Sequence, residues 1–399
     1  MKRKLFDNPL FVCAGLWFFW EPDFIKAQTE VLDTFFDAGA VIYLLLSLWF
    51  FWKRDKEGSK NLRPFHIVLL LMAVVMMGST LLHSGLHSQV WKCLKYIYPI
   101  LGSVLLLESA ALWDFRNAVK AVYYMAFSQT VINTCTVLLF ENGIYLAEDT
   151  SRQYFLGNEN LFIMTILLGL CAGCILTVEK GKRISWDYLV FLAASAVSIL
   201  KVWSASSLIG MTVFLLGVLS MIVIPFDGLY RLETGIALSA AGFVSIVLLR
   251  MQYLFKPFIE GVLHKDVTLT LRTYLWDKVL NAVKKSPWIG YGVENAKDFN
   301  DRFQGSNMHW VHSHDYYLEL LMKGGIVLLV LFLILLFVVA GSIAPYMAEV
   351  QARILCIAIS AFLFCFIGDC YEMRTPFYMI LTLAMAYGLP ERKGGADDL

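Results

Sequence analysis

Long apolar runs without a charged side chain constrain this 399-residue sequence more than any other feature. The stretch from Gly325 to Gly341 has no charge, and comparable runs recur along the chain. Hydrophobic residues make up 58% and charged residues 16% of the sequence. A soluble domain has about half apolar and about a quarter charged residues. The sequence therefore predicts a membrane protein.

The lengths of these runs predict an all-α, polytopic fold. A helix needs ~20 mostly apolar residues to cross a bilayer, and this rule gives about twelve membrane-spanning helices. The predicted spans cover residues 9–20, 37–52, 65–83, 90–107, 117–140, 160–178, 187–203, 206–224, 233–250, 324–343, 352–369 and 375–389.

The distribution of lysine and arginine predicts the orientation. Cytoplasmic loops carry an excess of these residues. Basic residues are concentrated at the N-terminus and in the loops around Lys53 and Lys180, on alternate connections of a twelve-span chain. We therefore predict cytoplasmic termini and three parts: N-terminal membrane helices in residues 1–250, an external catalytic loop in 251–323, and C-terminal membrane helices in 324–399. There is no basic stripe with interleaved aromatics, so nucleic acid is not an expected partner.

The histidines are concentrated on one face. Of seven in the chain, three lie between His309 and His314, and the predicted topology places all except His66 at the external edge. ATP and nucleotide-activated donors are absent there. A reaction at that face would need a substrate that carries its own leaving group.

The external loop contains a predicted amphipathic helix with apolar residues at helical spacing, such as Leu275 and Val279. We expect it to lie at the membrane surface. Arg272 is near its N-terminal end, where a guanidinium and free backbone N–H groups would suit a phosphate. The alternative is an arginine that reaches lipid headgroups.

A second helix is predicted to start after His314, with Asp315 or Ser313 as its N-cap. The partial positive charge at a helix N-terminus would keep His314 a neutral base that accepts a proton from a hydroxyl group. Two alternatives remain: a histidine that only hydrogen-bonds the backbone, and a metal site with His309 and His312. We favour the base and predict no cofactor, because histidines two residues apart at a helix start are expected to diverge.

These segments resemble the O-antigen ligase and O-antigen polymerase superfamily. The resemblance covers roughly residues 195–345, and its four motifs occur in the family's order and spacing: Thr270-Leu271-Arg272 with Trp276, Pro287 to Gly292, His312 to Leu318, and Gly324-Gly325-Ile326. It implies a GT-C-like membrane fold and a glycan donor linked to undecaprenyl diphosphate. It also implies a reaction outside the bacterial inner membrane, without nucleotide or metal. By position, Arg272 matches the diphosphate-binding arginine and His314 the histidine that activates the acceptor hydroxyl.

The sequence departs from the family pattern at two places. Asp315 replaces the asparagine of the motif, and a negative charge there would raise the pKa of His314. The segment from Ser204 to Ser207 lacks the arginine found in many relatives. The candidates for a second diphosphate-binding cation are Lys201, Arg152 and Arg250.

The other residues predicted to contact the substrate lie in the external loop and near the last span. They are His312, Trp276, Tyr291, Asp315, Glu372 and Arg374. The last two form an external cluster with Asp369, and ionisable residues at such positions are functional candidates. The alternative for this cluster is a local ion pair across a tight turn.

Together, these features predict a metal-independent membrane glycosyltransferase. It would move a glycan from undecaprenyl diphosphate to a sugar hydroxyl at the external face, with inversion at the anomeric carbon. The favoured reaction is polysaccharide polymerisation, with another lipid-linked glycan as acceptor. The alternatives are a ligase that uses lipid A-core or another acceptor, and a transporter of lipid-linked glycans.

Overall fold

The computed structural model describes residues 3–28, 30–55, 63–83, 88–147, 151–181, 183–261, 266, 271–303, 310–371 and 375–387. In these ranges the chain is almost entirely helical, with one short hairpin of strands β1 (Tyr145–Leu146) and β2 (Arg152–Gln153). The helices before the hairpin are α1 (Arg3–Phe6), α2 (Pro9–Phe19), α3 (Asp23–Gln28), α4 (Glu30–Asp55), α5 (Pro64–His83), α6 (Ser88–Ala111) and α7 (Phe115–Leu139). Those after it are α8 (Phe162–Glu179), α9 (Trp186–Val202), α10 (Ala205–Val223), α11 (Leu232–Phe243), α12 (Lys256–Gly261), α13 (Arg272–Val283), α14 (Ala296–Arg302), α15 (Tyr316–Ile343), α16 (Val350–Gly368) and α17 (Thr375–Ala386).

The prediction of an all-α membrane protein is confirmed at the level of the fold class. In the described ranges, seven helices are long and apolar enough to cross a membrane: α4, α5, α6, α8, α10, α15 and α16. Three shorter apolar helices are α2, α17 and the segment Leu232–Leu248. All twelve predicted spans coincide with helices, and α7 and α9 complete the set. The number of spans and the GT-C-like arrangement remain predictions.

Two of the apolar helices form the centre of the bundle. The most apolar windows of α8 and α16 are 72% buried, whereas those of α4 and α10 are 22% buried. Every residue of α17 is buried as well. Helix α16 contacts α8, α10, α11, α15 and α17. The end of α16 is therefore held on several sides, which matters for the residue that follows it.

The predicted amphipathic helix is α13, and it begins at Arg272. Its apolar stripe is covered by protein, because Leu275, Trp276 and Val279 are fully buried and the helix packs on α15. The expectation that this stripe rests on the membrane surface is therefore wrong. Packing on α15 fixes the position of Arg272 more firmly than contact with fluid lipid would.

The Pro287–Gly292 motif crosses α15 with the two backbones in direct contact. Ile326 donates its backbone N–H to the Pro287 carbonyl at 2.7 Å, and Tyr291 donates to the Met322 carbonyl at 2.6 Å. Gly325 interrupts α15 with φ +63° and ψ −162°, a conformation that is essentially restricted to glycine. A β-carbon at Gly325 would lie 2.2 Å from the Trp288 carbonyl carbon. The glycines of both motifs thus allow the segment before α15 to dock on the kinked helix.

This docking predicts a large difference between two glycine substitutions in the same helix. Gly325→Ala combines backbone strain with a backbone clash and is expected to destabilise the protein by ~3 kcal/mol. Gly341→Ala is the matched control, because a β-carbon there meets nothing within 4 Å. It should be neutral or stabilising by up to ~1 kcal/mol. Thermal unfolding in detergent compares the two, and equal midpoints would contradict the docking.

Candidate functional site

Three distant parts of the sequence meet around one carboxylate. Asp369 follows α16 directly, Arg272 begins α13, and His314 lies two residues before α15. Asp369 Oδ1 is 3.5 Å from His314 Nδ1, and its other oxygen, Oδ2, is 3.7 Å from Arg272 Nη2. Arg272 also donates to the backbone carbonyl of Gly368. The two residues predicted to be catalytic are therefore joined by a third.

The Asp369 carboxylate is held in its ionised form although only 7% of its side chain is exposed. Burial alone would raise its pKa, but the positive charge of Arg272 and the nearby rings of His314 and His312 more than offset that effect. The pKa of Asp369 therefore lies well below the ordinary aspartate value. The negative charge orients Arg272 and the Nδ1 side of His314 at the same time.

The prediction that Asp315 caps the helix after His314 is confirmed. The Asp315 side chain accepts a hydrogen bond from the backbone N–H of Leu318 at 2.8 Å. His314 has φ +52°, a left-handed conformation that is uncommon for a non-glycine residue. Its backbone N–H donates to His312 Nδ1 at 3.2 Å, and the two rings lie 4.1 Å apart. Nδ1 of His314 is buried, while 27% of its side chain remains exposed.

A buried polar network below His314 holds this turn in place. Glu319 accepts hydrogen bonds from the backbone N–H and the hydroxyl of Ser313, at 2.9 and 2.7 Å. Lys323, one helical turn further on, lies 3.2 Å from Glu319. The sequence analysis missed this network. The available signal was a Glu and a Lys four residues apart at the start of an apolar run.

Trp276 and Asp315 were predicted to contact substrate, and the structure gives both residues packing roles instead. Trp276 is fully buried, and its indole N–H donates to the Ser313 carbonyl at 3.1 Å. Asp315 is also fully buried. Burial raises the pKa of the Asp315 carboxyl well above its ordinary value, although the Leu318 and Tyr317 N–H groups act in the opposite direction. The carboxylate that faces His314 is Asp369.

Tyr291 and His312 have different surroundings. The Tyr291 hydroxyl donates to the Ala282 carbonyl at 2.8 Å, and the Arg302 guanidinium lies 3.7 Å from the centre of its ring. Tyr291 also forms part of the wall of an open basic groove with Lys278. His312 stays beside His314, so the structure brings only His312 of these two residues to the candidate site.

Arg250 is the only one of the three predicted second cations that contacts the helix of Arg272. One of its nitrogens, Nη2, donates to the Thr273 carbonyl at 3.0 Å and to the Asp277 carboxylate at 2.6 Å. The guanidinium lies 5.3 Å from the Trp276 ring centre. Its other terminal nitrogen, Nη1, is buried without a hydrogen-bond partner among the described residues. An unpaired buried guanidinium nitrogen is costly unless an anion or water completes it.

The other two cations lie away from this centre. Lys201 pairs with Glu141 at 3.9 Å, with both side chains largely exposed. Arg152 is an exposed residue of strand β2. Neither has a contact with Arg272, His314 or Asp369 in the described part of the chain. Glu372 and Arg374 lie outside the described residues.

Backbone strain is concentrated around these residues. In the described ranges, four non-glycine residues have positive φ: Trp203, Arg250, Leu271 and His314. Leu271 directly precedes Arg272, and Arg250 follows a π-helical turn, Val244–Leu248. Such conformations persist where the surrounding structure imposes them, and they are enriched at functional sites.

The side chains of His312, His314 and Asp369 could also hold a metal ion. Their ligand atoms lie within 4.8 Å of one another. The expectation that the two histidines diverge is therefore wrong, and the acidic ligand is Asp369. Arg272 opposes a metal cation, because its guanidinium already contacts the same carboxylate. The donor set thus fits a metal in type and spacing, while the neighbouring Arg272 guanidinium would repel a metal cation.

Comparison with known proteins matches part of this chain to a described family. A family model described as O-antigen ligase matches residues 165–333. The match supports assignment to the O-antigen ligase and polymerase superfamily and confirms the resemblance that the motifs indicated. It includes Arg250, Arg272, His312 and His314, whereas Asp369 lies beyond it. No curated protein matches the chain by sequence. The apolar helices indicate a multi-pass membrane protein, and members of the matched family are glycosyltransferase-like enzymes of polysaccharide biosynthesis.

Burial of Asp315 predicts a pH-dependent effect of Asp315→Asn. The native state holds the Asp315 proton more tightly than the unfolded state does, so this group's contribution to stability is complete below pH ~3.9. It is then lost as the pH rises towards the raised native pKa. Asparagine caps helices equally well and cannot ionise. Asp315→Asn should therefore raise the unfolding midpoint at neutral pH, and the gain should shrink as the pH approaches 4.

Asp315→Ala is the control, because alanine removes the cap as well as the charge. It should destabilise the protein by ~1 kcal/mol relative to Asp315→Asn across the pH range. If Asp315→Asn raises the unfolding midpoint by the same amount at every pH, ionisation of the buried Asp315 carboxyl is not the cause.

Proposed function

We propose that the protein transfers a glycan from a polyprenyl diphosphate to a sugar hydroxyl. The observation that carries the proposal is the bridge from Arg272 through Asp369 to His314, which sets a cation and a base side by side. A lipid diphosphate donor contains its own leaving group. Such a site therefore needs no nucleotide.

Arg272 and Arg250 are the proposed diphosphate ligands. They contact the same turn of α13, because Arg272 is its first residue and Arg250 bonds the Thr273 carbonyl. The unpartnered nitrogen of Arg250 supports an anionic partner. Asp369 and Asp277 each pair with one of these arginines, so the two guanidinium groups supply directed N–H donors and no net positive charge. These donors, with the free N–H groups at the start of α13, would stabilise the charge that develops on the leaving diphosphate.

His314 is the proposed general base. Asp369 faces Nδ1, which favours the proton on that nitrogen and leaves Nε2 as the acceptor. The acceptor hydroxyl oxygen would form a bond to the anomeric carbon of the donor. The bond between that carbon and the diphosphate oxygen breaks, the electron pair leaves with the diphosphate, and the hydroxyl proton moves to His314. A single displacement of this kind inverts the anomeric carbon.

The proposed location is the external face of the bacterial inner membrane, with both termini in the cytoplasm. Polymerisation, with a second lipid-linked glycan as acceptor, is the favoured reaction. A ligase would use the same residues with lipid A-core or another acceptor. A transporter is disfavoured, because the candidate residues gather at helix ends instead of lining the middle of the spans.

The reaction is tested with purified protein in liposomes that contain lipid diphosphate-linked oligosaccharide and no nucleotide. A product ladder indicates a polymerase, and one transfer to an added acceptor indicates a ligase. His314→Ala should reduce the rate by roughly 10²- to 10⁴-fold, the usual contribution of a general base. Arg272→Ala should also reduce it, and Lys201→Ala is the control expected to retain activity. Movement of lipid across the bilayer without any glycan transfer would overturn the enzyme proposal.

The bridge predicts that Asp369→Asn lowers kcat by ~10- to 100-fold, because the base contributes most when it is correctly oriented.

Because His312, His314 and Asp369 could also hold a metal ion, the effect of metal removal on the rate is a further test. We expect EDTA to leave the rate unchanged, since Arg272 competes with a cation for Asp369. A rate that falls with EDTA and recovers with added Zn²⁺ would contradict the metal-independent reaction.

A further inference from the structure

A polar cavity shares no lining residue with the Arg272–Asp369–His314 bridge. It has a volume of about 320 Å³, within the range of ~300–1,000 Å³ typical of small-molecule sites. The end of α2, the short helix α3, and the N-terminal parts of α4, α6 and α17 surround it. Among the described residues, the motifs around Arg272, Pro287–Gly292 and His314 contribute nothing to its wall.

Glu21 is the feature of this cavity that the fold leaves unexplained. The residue is 7% exposed and lines the cavity. Its Oε1 atom is buried with no hydrogen-bond partner among the described residues. Burial raises the pKa of Glu21 to about 8, with smaller effects from Lys26 and the neighbouring carboxylates. A carboxyl group that is largely protonated near pH 7 can both donate and accept a hydrogen bond.

The remaining polar groups form an ordered rim. Lys95 lies 2.8 Å from Asp37 and 3.4 Å from Asp33, and the Tyr98 hydroxyl donates to Asp37. One lysine thus pairs with both carboxylates, and these keep further lone pairs for hydroxyl donors. The half-buried rings of Phe18 and Tyr96 complete the wall. An aromatic face carries partial negative charge and attracts the C–H groups of a sugar ring.

The composition of the wall favours an uncharged, polyhydroxylated ligand over an ion. Three aspartates and three lysines line the wall: Asp23, Asp33, Asp37, Lys26, Lys92 and Lys95. Their charges cancel, and the Glu21 carboxyl is largely protonated, so there is no excess positive charge to hold a phosphate. A metal cation would need several converging oxygen ligands. Among the described residues, the acids of this cavity do not form such a cluster. Lys95 already occupies the position between Asp33 and Asp37.

A chain of contacts connects the cavity with the turn that bears His314. The Tyr96 ring lies 5.0 Å from Lys323 Nζ, Lys323 pairs with Glu319, and Glu319 holds Ser313. Lys92, also in the wall, donates to the Glu294 carbonyl in the external loop at 3.0 Å. A ligand in the cavity would therefore lie on the same end of the bundle as the candidate catalytic residues.

We propose that this cavity binds an uncharged sugar residue of the acceptor glycan, apart from the site that holds the lipid diphosphate. The proposal rests on the glycosyl transfer proposed above. It assigns the donor to Arg272 and Arg250 and the acceptor to Glu21, Asp37 and the aromatic wall. The acceptor would then be selected by its sugar hydroxyls and not by a charged group.

The test measures binding without catalysis. The probe is the free oligosaccharide that mild acid releases from the lipid-linked oligosaccharides of the host membrane, because it retains the sugar hydroxyls and lacks the lipid diphosphate. Saturation-transfer NMR follows its binding to the full-length protein in nanodiscs. Glu21→Gln keeps the shape of the side chain, and Asp37→Asn removes one rim charge. Each should weaken binding by at least tenfold.

Two further variants make the result specific. Asp187→Asn is the matched control, because Asp187 also pairs with a tyrosine, Tyr123, away from the cavity. It should bind like the unmodified protein, and so should His314→Ala. Thermal unfolding confirms that the cavity variants remain folded. If the cavity variants do not fold, hydrogen exchange of the unmodified protein takes their place. The oligosaccharide should then slow exchange in residues 18–37 and 92–99.

Several outcomes would overturn the proposal. These are no binding to the unmodified protein, unchanged binding in both cavity variants, or binding that is lost only in Arg272→Ala. Sodium binding that depends on Glu21, without sugar binding, would make the cavity an ion site and would also overturn it. If no assay shows glycan transfer but the oligosaccharide still binds, the proposed function is wrong and the cavity remains a sugar-binding site.

Discussion

The geometry of the site depends on one buried carboxylate. Asp369 faces Arg272 with one oxygen and His314 with the other, and these residues come from three different parts of the chain. Each partner alone would leave the aspartate poorly compensated in a protein interior, where an unpaired charge is costly. Together they keep its pKa low. Since Asp369 directly follows α16, the most enclosed part of the bundle sets the position of Arg272 and His314.

The rest of the site is stabilised by backbone contacts and helix ends. The glycines of the Pro287–Gly292 and Gly324–Gly325 motifs allow the loop to pass directly over α15, and the Trp276 indole holds the Ser313 carbonyl. Glu319 and Lys323 then fix the turn from below. Positive φ values at Leu271 and His314 show that this packing imposes unusual conformations next to Arg272 and at the proposed base itself. The spacing of the two glycine motifs thus has a direct structural cause, the close approach of two backbones.

Periodicity and helix-end chemistry made much of this predictable from sequence. The helical segments, the start of α13 at Arg272 and the cap at Asp315 follow from local rules. The partnership of Asp369 with His314 does not, because it joins residues that are far apart in sequence. The burial of Trp276 and the protein contact of the α13 stripe were missed for a similar reason. An apolar stripe shows that a helix face is covered, but it does not say whether lipid or protein covers it. The Glu21 cavity, assembled from parts of five helices, has no local signature at all.

The central claim is that the arginines hold the diphosphate and His314 acts on the acceptor. Binding of radiolabelled undecaprenyl diphosphate to purified protein in detergent tests it most directly. We predict that Arg272→Ala and Arg250→Ala each weaken binding by at least ~10-fold, which corresponds to about 1.4 kcal/mol. His314→Ala should bind the lipid as the unmodified protein does. Unchanged binding in both arginine variants, or loss of binding only in His314→Ala, would contradict this division of roles.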